Sequence, residues 1–199
     1  MTPLNKMDVL GLLQEHGAVV PGHFALASGL HSPVYVQTAL VLQYPHVAQR
    51  LAKAICAKFP QDVDVVISPG MVSGVLAQEV ARIKKCRSIF TERTNGMVSL
   101  RRDYRLQRGE RALVVEDVLT TGRLTAEIVS LAQAYGLKVL GVGAIVDRST
   151  TGLALSVPTR TLISYPLEQC PPDVCPQCQA GVPLTDASKS LGAGAVEGE

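Results

Sequence analysis

The chain has 199 residues, a formal net charge of +2, 47% hydrophobic residues and 18% charged residues. A chain of this length typically folds as one domain with a substantial core, and its composition excludes a disordered polypeptide. The small net charge and the absence of Trp argue against a partner nucleic acid held by a basic face or by stacked aromatic side chains. No apolar run reaches transmembrane length and no signal peptide is visible, so we expect a cytoplasmic protein with no membrane partner.

Apolar periodicity and turn residues predict alternating strands and helices in the first half of the chain. A helix comes first, followed by a short strand and turn, a strand, a helix, a strand, a helix and a strand. The predicted ranges are, in that order, 7–17, 22–33, 34–38, 45–59, 63–67, 71–85 and 87–91.

The second half opens with a hairpin-turn signal at Asn95-Gly96 and a predicted exposed β-arm, where apolar and basic residues alternate. A strand, a helix, a strand and a last strand follow. The predicted ranges are 98–106 for the arm and then 111–119, 125–135, 139–146 and 160–165. The remaining residues, 186–199, are mostly Ser, Gly, Ala and Glu and are predicted to be a disordered tail.

This alternation predicts an α/β fold in which helices flank a parallel sheet, within a single domain over residues 1–185. The N-terminal segment 17–40 and the C-terminal segment 150–185 lie outside the main strand–helix repeat. We expect these two segments to form a small hood over the carboxyl edge of the sheet.

The most informative segment is 113–125, with the sequence LVVEDVLTTGRLT. An apolar strand ends there in Glu116 and Asp117, and two threonines, a glycine and a predicted helix follow. In an open parallel sheet, ligands bind just beyond the carboxyl ends of the strands. Backbone N–H groups of the turn and the helix start can hold a phosphate, and the acids can accept hydrogen bonds from sugar hydroxyls. The alternative is an ordinary strand-to-helix turn with a capping Thr, which leaves two adjacent acids beside a buried strand without a purpose.

Five cysteines, an odd number, argue against a disulfide framework. Two of them are expected to be packing residues, whereas the other three have the spacing of zinc ligands in a proline-rich loop. The packing pair is Cys56 and Cys86, and the candidate ligands are Cys170, Cys175 and Cys178. No fourth ligand lies nearby, because the histidines at positions 16, 23, 31 and 46 are far away in sequence. Free thiols are the alternative.

Segment 113–125 resembles the phosphoribosyl-pyrophosphate (PRPP) motif of the type I phosphoribosyltransferases. Segment 22–35 resembles the N-terminal hood of the orotate phosphoribosyltransferases, 140–149 resembles their Asp-Arg strand end, and 175–184 resembles the C-terminus of one bacterial branch. The resemblance implies the type I fold, a Mg²⁺ cofactor and a homodimer. It also implies transfer of ribose 5-phosphate from PRPP to orotate, giving orotidine 5′-monophosphate and pyrophosphate in pyrimidine (UMP) biosynthesis.

The resemblance also implies roles for particular residues. The catalytic residues would be Asp117, Glu116 and Arg93. The PRPP-binding residues would be Arg93, Glu116, Asp117, Val118, Leu119, Thr120, Thr121, Gly122, Arg123 and Leu124. Orotate would lie against Thr120 and Arg148, since a guanidinium can pair bidentately with the orotate carboxylate. The alternative for Arg148 is a surface ion pair with Asp147. Arg101 and Arg102 would assist Arg93, and Pro69-Gly70 would shape the loop that meets pyrophosphate.

The chain departs from the family pattern in and around this site. Ala27 stands where many members have a Lys, and Arg123-Leu124 replaces a small Gly-Ser pair in the phosphate cradle. The loop 68–74, SPGMVSG, replaces a Pro-Ala-x-Gly-Gly type of loop. These departures keep two alternatives open: a phosphoribosyltransferase for another base, or a non-catalytic PRPP- or nucleotide-sensing regulator on the same fold.

Overall fold

The computed structural model describes residues 4–26, 28–94, 96–100, 104–150 and 152–186, and these form nine strands and six α-helices. The strands are β1 (Val19–Ala25), β2 (His31–Val36), β3 (Val65–Pro69), β4 (Arg87–Thr94), β5 (Met97–Ser99), β6 (Arg111–Leu119), β7 (Lys138–Asp147), β8 (Thr159–Ser164) and β9 (Thr185–Asp186). The helices are α1 (Lys6–Glu15), α2 (Ala39–Leu42), α3 (Pro45–Lys58), α4 (Gly70–Lys84), α5 (Arg123–Ala134) and α6 (Pro176–Gln179).

The main sheet has six strands in the order β5-β4-β3-β6-β7-β8. All of its neighbouring pairs are parallel except β4 and β5, which form an antiparallel edge. The predicted α/β fold with helices around a parallel sheet is therefore confirmed. Because the strands are parallel, their carboxyl ends lie along one edge, and β6 ends there directly beside β7, with Leu119 paired to Asp147.

Helices cover both faces of this sheet. On one face, side chains of α1, α3 and α4, such as Leu51 and Leu76, pack against Leu113 and Val115 of β6. On the other face, Ile128 and its neighbours in α5 pack against alternate residues of the same strand. Burial on both faces explains why β6 is a nearly continuous apolar run up to Glu116.

A second, smaller sheet joins the two ends of the chain in the strand order β2-β1-β9. An isolated bridge between His31 and Cys170 adds a further link to this sheet. Asp186 pairs with Ala25, so the prediction that a disordered tail begins at 186 is wrong at its first residue. The rest of that predicted tail lies outside the described residues. β8, within the C-terminal segment 150–185, belongs to the main sheet.

The predicted β-arm over 98–106 is a strand only at its start, because β5 ends at Ser99, and residues 100 and 104–106 are not in a strand. Its apolar side chains, Val98, Leu100, Tyr104 and Leu106, are partly buried against the core beneath α5. In its described residues the segment therefore packs along the domain through its apolar side chains, and the prediction of an exposed arm is wrong for these side chains. Asn95 and residues 101–103 lie outside the described residues. The described helices include none that is both long and apolar enough to span a bilayer.

Candidate active site

The acid pair at the end of β6 is held by hydroxyl groups from three other segments. Ser73 of α4 donates a hydrogen bond of 2.6 Å from Oγ to Asp117 Oδ1, and the same Oγ lies 3.2 Å from Glu116 Oε2. Thr125 of α5 donates to Glu116 Oε1 at 2.9 Å. Thr38, just before α2, donates to Asp117 Oδ2. The two carboxylates are therefore oriented by the surrounding fold before any ligand binds.

The two acids differ in their surroundings. Glu116 is 6% exposed, whereas Asp117 is only half-buried. Burial, reinforced by the neighbouring Asp117, raises the pKa of Glu116 to about 8 although the Thr125 and Ser73 hydroxyls act in the opposite direction. Glu116 is therefore protonated near neutral pH. The hydroxyl of Ser73 makes its shorter hydrogen bond to Asp117, at 2.6 Å, and lies 3.2 Å from Glu116.

The loop after β6 leads directly into the N-terminus of α5. Gly122 caps this helix with a left-handed φ of 72°, and a Cβ atom on it would lie 3.1 Å from Leu153, so both conformation and packing favour glycine. The N–H of Ala126 bonds to Gly122 O at 2.8 Å, which leaves the N–H groups of 123–125 ahead of the first intrahelical bond. Together with the helix dipole, these groups favour an anion at the loop.

The other residues of this segment that were predicted to contact PRPP differ in how far they are exposed to solvent. Thr120 and Thr121 are exposed at the loop, whereas Val118 is half-buried and Leu119 is part of the core. The carbonyl of Leu119 accepts a hydrogen bond from the N–H of Arg148. Leu119 is therefore a structural residue whose side chain is not available to a ligand.

The two arginines predicted to contact PRPP share one carboxylate. Arg93 Nη2 lies 2.9 Å from Glu127 Oε2, and Arg123 Nε lies 3.4 Å from Glu127 Oε1. The Arg123 side chain is 86% exposed and reaches one turn along α5, so it does not fill the loop 120–122. Arg93 also donates to the carbonyl of Gly96 at 3.1 Å.

Arg148, at the end of β7, is 2% exposed. Its Nη2 lies 3.4 Å from both Ser32 Oγ and Val34 O, and its Nε has no hydrogen-bond partner among the described residues. Asp147 instead accepts from the N–H and hydroxyl of Ser149 at 2.8 and 2.6 Å, so the alternative of an Asp147–Arg148 surface pair is wrong. Burial lowers the pKa of Arg148. A buried, incompletely bonded guanidinium is suited to an anionic ligand.

Tyr35 of β2 links the two ends of this site. Burial raises the pKa of Tyr35; the charge of Arg148 lowers it, and the charge of Asp117 raises it. Since both charges act on the Tyr35 hydroxyl, the guanidinium and the acid pair belong to one electrostatic environment. Thr120 lies at the same edge, because β6 and β7 are parallel neighbours.

A cleft of 1180 Å³ lies beside the acid pair, at the carboxyl ends of β3 and β4. Arg93, Leu124 and the predicted pyrophosphate loop Pro69-Gly70 are among its lining residues, whereas Glu116, Asp117 and Arg148 are not. Gly70 has a φ of 66°, which lets the chain turn from β3 into α4. The cleft is therefore continuous with the expected leaving-group side of the site and separate from the Arg148 side.

The three cysteines proposed as zinc ligands are only partly brought together. Ligand atoms of Cys175, Cys178, His23 and His31 all lie within 4.8 Å of one another, and Cys170 is not in this group. The sequence interpretation thus missed the two histidines, because they precede the cysteines by more than 140 residues.

Thr38, Ser73 and Tyr35 were also missed as site residues. Tyr35 and Ser73 lie in segments 22–35 and 68–74, which were compared with the family without a role for either residue, and no motif includes Thr38. Only the position of Ser73 early in a helix that follows a buried strand could have indicated it. Ala27, Arg101 and Arg102, which the sequence interpretation singled out, lie outside the described residues.

The relatives reported below are all orotate phosphoribosyltransferases. The chain is 44% identical over 181 residues to an orotate phosphoribosyltransferase of Desulforamulus reducens, covering 90% of this chain and 95% of the relative. It is 41% identical over 182 residues to an orotate phosphoribosyltransferase of Caldicellulosiruptor saccharolyticus, covering 91% and 95%. The crystal structure of the Aeropyrum pernix orotate phosphoribosyltransferase has a similar fold, with a TM-score of 0.66, 23% identity and coverage of 79% of this chain and 93% of that one. No protein-family model matches the chain.

Proposed function

The chain belongs to the orotate phosphoribosyltransferase family, and from this premise we propose how its residues perform the reaction. The enzyme transfers ribose 5-phosphate from PRPP to orotate and releases pyrophosphate, forming orotidine 5′-monophosphate in pyrimidine biosynthesis. Its relatives do not favour the two alternatives, another base or a non-catalytic sensor.

The assignment of orotate as the base rests on the buried, incompletely hydrogen-bonded guanidinium of Arg148. Orotate differs from uracil by a ring carboxylate, and a buried guanidinium with an unbonded Nε is the group that such a carboxylate would satisfy. Arg148 directly follows Asp147, which pairs with Leu119 at the end of β6, so orotate bound there would lie next to the loop after β6. Ser32 and Val34 hold the guanidinium from the other side.

The acid pair and the following loop form the PRPP side of the proposal. Asp117 accepts hydrogen bonds from the ribose hydroxyls, and the N–H groups from Thr121 to Thr125 hold the 5′-phosphate at the start of α5. The bond from C1′ to a pyrophosphate oxygen breaks as the bond from C1′ to the orotate ring nitrogen forms. Positive charge develops on the ribose ring, and the nearby Asp117 carboxylate stabilises it. Neither acid acts as a covalent nucleophile.

A Mg²⁺ ion is part of the proposal. The half-exposed Asp117 carboxylate supplies the hard oxygen ligand that Mg²⁺ prefers, and the ion commonly binds one or two carboxylates together with substrate phosphates. When bound, the ion would neutralise charge on the departing pyrophosphate. Arg93 can assist if it exchanges its bond to Glu127 for one to pyrophosphate, and its place on the cleft wall supports that role.

We also propose a cytoplasmic homodimer. The cleft beside β4 carries exposed apolar side chains, with Met71 87%, Val75 45% and Phe90 37% exposed, and a second copy would cover such side chains. None of the five cysteines, all of which are described, forms a disulfide, which suits a reducing compartment. Sedimentation velocity tests the dimer.

The test of function is orotate consumption followed by absorbance, with PRPP and Mg²⁺ present. Uracil is the matched control because it lacks only the carboxylate, and adenine and hypoxanthine test for purines. Orotate turnover that requires both PRPP and Mg²⁺ is the expected result. Turnover of uracil at the same rate would remove the role assigned to Arg148, and PRPP binding without turnover of any base would favour the sensor.

A further inference from the structure

Four potential metal ligands meet where the two ends of the chain join. His23 is in β1, His31 begins β2, and Cys175 and Cys178 flank the start of the short helix α6. The geometry points to a structural Zn²⁺ site formed by His23 Nε2, His31 Nδ1 and the two cysteine sulfurs, which ties the C-terminal segment to the β1–β2 hairpin.

The spacing of the ligand atoms agrees with a tetrahedral ion. For usual zinc–ligand distances, a tetrahedron places two nitrogens about 3.3 Å apart, a nitrogen and a sulfur about 3.5 Å apart, and two sulfurs about 3.8 Å apart. The two histidine nitrogens are 3.1 Å apart. His23 Nε2 lies 3.4 Å from Cys175 Sγ and 3.7 Å from Cys178 Sγ, and His31 Nδ1 lies 3.3 Å from Cys178 Sγ.

Hydrogen bonding alone does not account for this cluster. His23 Nδ1 lies 2.9 Å from the carbonyl of Val182, and because a carbonyl only accepts, Nδ1 carries the hydrogen of the neutral ring. His23 Nε2 then has one lone pair, yet His31, Cys175 and Cys178 all approach it within 3.7 Å. One lone pair accepts one good hydrogen bond, whereas one cation binds all four groups. A ring nitrogen fixed by a backbone carbonyl is also typical of histidines that ligate metal.

Burial supports a closed structural site. His23, His31 and Cys175 are only 3%, 5% and 2% exposed, whereas Cys178 lies at the exposed side of the group. Four protein ligands leave no open coordination position for a substrate. Cys170 is not in the mutually close group, although its thiol is hydrogen-bonded to Cys175 and its backbone bridges to His31. The ligand set is therefore two histidines and two cysteines, and it differs from the three-cysteine set that the sequence spacing indicated.

The position of this site gives the ion a structural role. It closes a loop of 152 residues between His23 and Cys175, and such closures restrict the unfolded chain strongly. After β8 the regular structure of the C-terminal segment is short: a single 3-10 turn at Pro172–Val174, the four residues of α6 and the two of β9. His31 directly precedes Ser32, which contacts Arg148, so the ion anchors the strand that supports the anion-binding arginine. The inference does not depend on the proposed reaction.

The experiment is metal analysis of the full chain, expressed with zinc in the medium and purified under reductant without chelator. We expect one zinc per chain. His31→Asn and Cys178→Ser should each lose most of it, whereas the matched controls His46→Asn and Cys86→Ser should retain it. The decisive variant is Cys170→Ser, which retains the metal if the histidines are ligands.

Cobalt keeps the test informative if a ligand variant fails to fold. Co²⁺ added to the chelator-treated wild-type chain should give the intense visible bands of a tetrahedral ion, with charge-transfer absorbance for two thiolates. Chelation should also lower the melting temperature, and zinc should restore it. The inference is overturned by a wild-type chain without stoichiometric zinc, by cobalt absorbance for three thiolates, or by zinc lost in Cys170→Ser and kept in His31→Asn. None of these readouts requires substrate.

Discussion

The raised pKa of Glu116 predicts an unusual dependence of stability on pH. The folded protein keeps the Glu116 proton up to about pH 8, whereas the unfolded chain releases it near the ordinary value of 4.5. The folded state therefore binds more protons between these values. The stabilisation from the protonated carboxyl is fully present below pH 4.5 and is lost as the pH rises through about 8.

Replacing Glu116 with Gln removes this dependence and keeps the shape of the side chain. The Gln carbonyl can accept from Thr125, as Glu116 Oε1 does at 2.9 Å, and the Gln amide can take the place of Glu116 Oε2, which lies 3.2 Å from Ser73 Oγ. For one group with a pKa of 4.5 unfolded and about 8 folded, the free energy of unfolding falls by about 4 kcal/mol between pH 5 and pH 9. A chain of this size should show it as a difference of roughly 8–16 °C in melting temperature.

The assay is urea unfolding of the wild type and Glu116→Gln at a series of pH values from 5 to 9. The quantity of interest is the change with pH of the difference between the two proteins, because all other titrating groups cancel in it. Glu15→Gln, at an exposed position at the end of α1, is the matched control and should follow the wild type throughout. Parallel curves for the wild type and Glu116→Gln would refute the protonated, buried state of Glu116.

Three further substitutions test the active site itself. Asp117→Asn should lower kcat by roughly 100-fold or more with an unchanged fold, because the carboxylate proposed to face the ribose is lost; circular dichroism and initial rates check this, and Glu116→Gln at pH 7 should lose far less. Arg148→Ala should raise the KM for orotate by roughly 30- to 100-fold and the KM for PRPP by much less, since a charged hydrogen-bonded pair is removed; equal increases in both would contradict carboxylate pairing. Ser73→Ala should lower kcat by roughly tenfold, because Asp117 loses one oriented hydrogen bond, and a wild-type kcat would show that Ser73 is only a packing residue.

The main sheet could be predicted from sequence because its strands are buried on both faces. The run 111–119 was predicted with the same bounds that β6 has, since a continuous apolar run ending in two acids and a glycine turn has few other interpretations. α2 could not be predicted, because four residues are too few to show helical periodicity. The segment 98–106 was misassigned because alternation shows that one side is buried, and does not show what covers it.

The part of the candidate site that lies in one continuous stretch of sequence could be predicted. The part that the fold brings together from distant segments could not. The acid pair and the phosphate loop occupy one stretch of ten residues, so a motif could find them. Ser73 and Thr38 reach Asp117 from 44 and 79 residues away, and nothing in their local sequence distinguishes them from other hydroxyl residues. The same reason separates Cys175 and Cys178 from His23 and His31, since the strand pairing of the two chain ends, and not sequence spacing, places them together.

The departure from the family pattern at Arg123-Leu124 changes side chains beside the proposed phosphate loop and leaves the backbone N–H groups of that loop in place. The groups that would hold phosphate are backbone N–H groups, and their direction is fixed by the left-handed Gly122 and by the helix that follows. The side chains at 123 and 124 are exposed, so their larger size does not crowd the N–H groups. The charge that Arg123 adds is balanced by Glu127, which also binds Arg93. Arg123 and Arg93 contact different oxygens of Glu127, so one carboxylate offsets both cations, and the larger side chain at 123 leaves the position of Arg93 on the cleft wall unchanged.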